Sequence, residues 1–174
     1  MELRIEPRAG GWILVAGPRS LAPVMLALVA RLAKQGAVNV LDGGNQFNAY
    51  LVSRAVYGRP EVLGRISVSR AFTCYQMLSL LESTPCSGAP FVLLHLLNTF
   101  YDESVAGWER TRLLRQCLSR LQFLSQASGG VVSVHPPAVP GEAATAFLGM
   151  LQAGAAETWH AQMPAPTPEP PRLF

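Results

Sequence analysis

The feature that most constrains this 174-residue chain is a grammar that repeats along it: a short apolar run, a turn marked by glycine or proline, then apolar residues at helical spacing. Trp12 to Ala16 (WILVA) is a continuous apolar run between Gly10-Gly11 and Gly17-Pro18, which is the signature of a buried strand. After it, Leu21, Val24, Met25, Leu28, Val29 and Leu32 recur at three and four, with Ser20 placed to cap a helix and Gly36 to stop it. The same order returns as a strand over 37–42, a helix over 47–57, a strand over 66–69 and a helix over 72–83. An apolar strand over 91–97 follows, then a long helix over about 107–127, a strand over 131–134, a helix over 142–153 and an edge strand over 156–162.

Alternation of this kind predicts an α/β domain, three layers deep, with helices on both faces of a mostly parallel central sheet. Residues 91–97 suit its centre, because they are apolar throughout except for His95. Residues 1–162 make one domain with no internal repeat, and 163–174 (MPAPTPEPPRLF) form a Pro-rich tail expected to be extended and disordered, or else a short docking peptide.

Composition narrows the function classes. Thirteen arginines and one lysine against eleven acidic residues give only +3, too little for a dedicated nucleic-acid cation. Charged residues are 14% of the chain, where about 25% is usual, so either part of the surface is covered by another subunit or the composition is biased toward Ala, Arg and Pro. Cys74, Cys86 and Cys117 are an odd set without metal or redox spacing; the first and last read as small buried hydrophobes, and Cys86 as a possible exposed thiol. MELRIEPR does not resemble an export signal, and the longest apolar stretch, 21–33, contains Pro23 and Arg31 and is too short for a bilayer. A cytoplasmic protein with reduced thiols and no membrane contact is the expectation.

The stretches VLDGGNQFNAYLVSRAV, VLGRISVSRAFTCYQMLSLLE and FVLLHLLNTFY, taken in order over residues 11–135, resemble the core of the RecA and RadA-type strand-exchange recombinases. The segment Ser69-Arg70-Ala71-Phe72 carries the most specific part of the likeness; the rest is pattern and order. The resemblance implies a RecA-like, P-loop NTPase fold, and it also implies that the phosphoryl-transfer machinery is gone. A working member binds ATP through GxxxxGK followed by Ser or Thr, whose backbone N–H groups, ammonium and hydroxyl hold the phosphates and magnesium. Here the segment is Gly17-Pro18-Arg19-Ser20-Leu21-Ala22-Pro23-Val24: Pro23 stands at the lysine position and Val24 at the hydroxyl position. The glutamate segment reads Gly43-Gly44 after Asp42, and the magnesium-supporting aspartate corresponds to His95. Losing one such part costs on the order of 10³ in rate, so the resemblance implies a protein without ATPase activity or nucleotide cofactor. Its DNA loops would correspond to residues 98–106 and 135–141, which carry no Lys or Arg, so direct nucleic-acid binding is expected to be weak.

Two functional readings remain open. In the first, the chain is a catalytically inactive domain acting through protein contacts, with another subunit or a second copy as partner, accessory to DNA recombination or repair. In the second, it is a small-ligand or anion binder, or an enzyme, that reuses the crevice at the carboxyl ends of the strands. Asp42, Asn45, His95, Asn98 and His135 would gather there, and Arg19 with Ser20 would take an anion at a helix start. His95 itself reads first as a buried neutral imidazole with one satisfied hydrogen bond, and no metal is expected because the His/Asp/His spacing matches no known motif. Arg110, Arg112, Arg115 and Arg120 read as the solvated face of the long helix, with Glu109 pairing to Arg112. Phe72, Tyr75, Leu78 and Leu81 read as core packing.

Overall fold

The computed structural model describes residues 4–137 and 141–161. Six strands, β1 (Trp12–Ala16), β2 (Val38–Asp42), β3 (Ile66–Arg70), β4 (Phe91–Leu94), β5 (Gly130–Val134) and β6 (Glu157–His160), form one sheet in the order β3-β2-β4-β5-β1-β6. Every pairing is parallel, so all carboxyl ends lie along one edge. Between the strands run α1 (Ala22–Gln35), α2 (Ala49–Ala55), α3 (Cys74–Ser83), α4 (Gly107–Ser128) and α5 (Glu142–Gly154).

The pleat divides the apolar residues into two cores. Val15, Val40, Val92, Leu94 and Val131 face α1 and α2. Trp12, Leu14, Leu41, Phe91, Leu93 and Val132 face α3, α4 and α5. The result is a three-layer α/β/α fold. β4 and β5 are buried at every position, as central strands must be, whereas β3 at the edge is mostly exposed. Gly130 is a packing requirement: a Cβ there would enter the ring of Phe91 on the neighbouring strand. Among the described residues no helix is long and apolar enough to cross a membrane.

Several local expectations change. The strand expected over 91–97 stops at Leu94, because His95 turns into the left-handed region (φ 53, ψ 53) and Leu96–Phe100 coil into a 3-10 turn. Ser20 does not cap α1; it sits in a 3-10 turn (Arg19–Leu21), and the helix follows Leu21 without a side-chain cap. The helix expected over 47–57 is confined to α2, because the Asn48 side chain accepts from the amides of Tyr50 and Leu51 and sets its start. A second 3-10 segment, Pro60–Arg65, fills the spacer before β3. Phe72 and Tyr75 are not core: Phe72 is 68% exposed and Tyr75 about half exposed, while Leu81 is buried and Leu78 partly so. Cys74 and Cys117 are buried and Cys86 is exposed. Arg112 pairs with Glu109, but Arg110 and Arg120 turn inward to the carbonyls of Phe100 and Leu81. The tail 163–174 and residues 138–140 of the proline loop lie outside the described residues.

Candidate functional site

The carboxyl edge of the sheet presents two neighbouring constructions. The first is built on Asp42, the last residue of β2. Its carboxylate is wholly buried; Oδ1 accepts from the amides of Gly44 and Gln46, and Oδ2 from the amide of Phe47 and from Arg70 Nε at 3.4 Å. Arg70 also reaches the carbonyl of Phe47. With three backbone donors and a guanidinium on it, this carboxylate organises the loop 42–47 and has little acceptor capacity left for a ligand. Asn45 is exposed in the left-handed region (φ 52), and Asn98 donates its amide to the carbonyl of Gly43. These two residues shape the loop.

The second construction is a histidine pair. His95 and His135 are 2% and 3% exposed, with Nδ1 atoms 2.6 Å apart and ring planes at 73°. One Nδ1–H donates to the other Nδ1, and Nε2 of each ring is buried without a partner among the described residues. Three neighbours force this arrangement. Ser133 Oγ accepts from the amide of His95, replacing the ladder bond lost where β4 ends. Gly44 leaves room for the His95 side chain, since a Cβ on Gly44 would lie 2.8 Å from that of His95. Tyr101 donates its hydroxyl to the carbonyl of His135 at 2.9 Å.

Burial, reinforced by the other imidazole, pushes His95 down to about 4, and burial also lowers His135. The positive charge of Arg19 acts in the same direction on both, so the pair is neutral at pH 7. Burial alone raises the Tyr101 hydroxyl to about 12. Among the described residues no group of three or more His, Cys, Asp or Glu side chains converges as a metal site.

His135 also lines a cleft of about 550 Å³ between the loops that follow β1 and β5. Gly17 and Pro18 form one wall, Leu97 and Tyr101 another, and Ala144, Thr145 and Leu148 of α5 a third, with His160 and Ala161 closing the end. Among the described residues no Asp, Glu, Lys or Arg side chain lines it. The position follows from topology: β1 leads to a helix on one face and its neighbour β5 to a helix on the other, and such switch points open a crevice at the carboxyl ends.

Neither a protein-family model nor a curated protein matches this chain.

The turn from Gly17 to Val24 is poorly made for phosphate. Gly17 donates its amide to the carbonyl of Val134, Leu21 to Pro18 and Ala22 to Arg19, while Pro18 and Pro23 have no N–H. Five of the eight positions thus offer an anion nothing. The residue after β6 also crowds the turn, for Ala161 donates to the carbonyl of Ala16 and a Cβ on Gly17 would lie 3.0 Å from the Ala161 carbonyl oxygen. Arg19 and Ser20 remain exposed at its rim.

Of the residues singled out from the sequence, His95 and His135 are brought together, while Asp42, Asn45 and Asn98 serve the adjoining loop. Ser133, Tyr101 and Arg70 were not anticipated as site residues. Ser133 is the lone hydroxyl in an otherwise apolar strand, and that interruption was the available signal.

Proposed function

We propose that this chain is a catalytically inactive RecA-like domain that acts through protein contacts, as an accessory subunit in DNA recombination or repair. The single observation that carries the reading is the dismantled turn between β1 and α1, where two prolines and three internally bonded amides leave no phosphate cradle. The position of the lysine in the resembled family holds Pro23, and the corresponding base and magnesium positions hold Gly43-Gly44 and His95. Contact with another protein is supported by Tyr57, Phe72 and Trp108, which are largely exposed on a charge-poor surface.

Titration with labelled ATP and magnesium tests the first half: no binding at millimolar nucleotide is expected, and tight magnesium-dependent binding overturns it. Sedimentation at micromolar concentration with a pull-down from native lysate tests the second half. A recombinase subunit in the complex is expected; a strict monomer that captures none counts against it.

A second reading, binding of a small molecule in the crevice, is favoured by one specific observation. An apolar cleft of about 550 Å³ lies at the switch point beside a buried histidine whose Nε2 has no partner among the described residues. The two readings are compatible, since loss of nucleotide binding leaves the crevice free for other chemistry.

A further inference from the structure

We propose that the cleft between the ends of β1 and β5 binds a small carboxylate with a flat or compact apolar body. This inference rests on the crevice reading and names the class of molecule that suits it. The size lies within the range of sites that enclose a small organic molecule, roughly 300–1,000 Å³. The body of that molecule must be apolar, because the walls are alkyl, proline and aromatic surface and two of the few polar groups are already committed. Tyr101 donates to the carbonyl of His135, and Thr145 to that of Gly141.

The sign of the charge follows from what borders the cleft. Among the described residues no carboxylate lines it, so a cation would find no counter-ion in that lining. Arg19 immediately follows Pro18 of the wall, is exposed, and forms no hydrogen bond or ion pair among the described residues. Being next in sequence to a wall residue, its guanidinium is the cation placed at the rim of the crevice. An anionic end held toward Arg19 and an apolar end laid against Leu97 and Leu148 satisfies both requirements. The histidine pair adds, beneath the cleft wall, a buried His135 Nε2 that has no partner among the described residues. The strained backbone of His95 holds the pair in place, a cost that folds otherwise avoid.

The experiment uses the full chain and two fluorescent probes of the same shape, 2-naphthoate and the uncharged 2-naphthamide. Saturable binding of naphthoate is expected, weakened about tenfold by Arg19→Gln, the loss expected for one charged hydrogen bond. Naphthamide should bind more weakly and be indifferent to that substitution. Ala144→Trp, which fills the cleft from α5, should abolish binding of both, and Thr145→Trp serves if thermal melts show that the first variant does not fold. If the two probes bind equally and Arg19→Gln changes neither, the carboxylate preference is wrong and the crevice reading stands. If neither probe binds at millimolar concentration, or if binding survives the cleft-filling variants, both are wrong.

Discussion

His95 Nδ1 and His135 Nδ1 stand 2.6 Å apart at the ends of neighbouring strands, a distance that admits one shared proton and no second. The contact exists because β4 ends one residue before His95 and the left-handed turn there swings the ring toward β5. Ser133 fixes the turn from the other strand by accepting the His95 amide. Strand end, backbone strain and side-chain pairing are therefore one structure, and each can be tested separately.

Acid should destabilise the fold through this pair. His95 titrates at about 4 when folded and near its ordinary value of 6.5 when unfolded, so the unfolded chain binds the additional proton. The stability is fully present above pH 6.5 and is lost as pH falls toward 4. Between pH 7.5 and 5 the loss is on the order of 2 kcal/mol from His95 alone. In His95→Asn, which keeps a residue tolerant of the left-handed region, that component should vanish. Urea unfolding of both proteins at the two pH values measures it, and equal slopes would contradict the assignment.

Asp42 and Arg70 should behave unequally although they form one ion pair. Asp42 is fully buried with three amides on it, so Asp42→Ala strands those donors and should cost about 3 kcal/mol. Arg70 is 42% exposed and its Nε lies 3.4 Å from the carboxylate, so Arg70→Gln should cost less than about 1 kcal/mol. Chemical denaturation of the two variants decides; similar losses would mean that the ion pair, and not the loop amides, holds the carboxylate.

Gly44 and His95 should be coupled. A methyl group on Gly44 would press on the Cβ of His95 at 2.8 Å, so Gly44→Ala should destabilise by about 1–3 kcal/mol. In a His95→Gly background the obstacle and the backbone strain are both removed, and the same substitution should cost little. A double-mutant cycle gives the coupling directly; additive effects would place the clash elsewhere.

The layered fold was legible in the sequence because strand-length apolar runs and helical spacing report burial, and burial is what builds a parallel sheet. The end of β4 was not. His95-Leu96-Leu97 continues the apolar run, and only the amide of His95 finding the Ser133 hydroxyl, thirty-eight positions away, ends the ladder there. Phe72 and Tyr75 failed because the helix starts later than the spacing suggests: Thr73 caps α3, which leaves Phe72 outside the helix and Tyr75 in its first turn, both exposed. Within the crevice, residue type and strand position were enough to bring His95 and His135 together. The fate of Asp42 depended on the amides of Gly44, Gln46 and Phe47, which residue identity does not reveal.

Adding the cation that the resembled family carries should not create nucleotide binding. Pro23→Lys with Val24→Ser supplies an ammonium and a hydroxyl, the two side chains that the turn lacks relative to a working phosphate loop. The backbone does not follow, because Gly17, Leu21 and Ala22 still donate to Val134, Pro18 and Arg19, and Pro18 still has no N–H. The new lysine would add a point charge without the converging amides that give a triphosphate its directional contacts. Weak, magnesium-independent attraction of any polyphosphate, lost in moderate salt, is the expected calorimetric result. Saturable binding of magnesium-ATP in preference to inorganic tripolyphosphate would mean that the turn can still open into a cradle, and the inactive reading would then rest on two side chains and not on the path of the backbone.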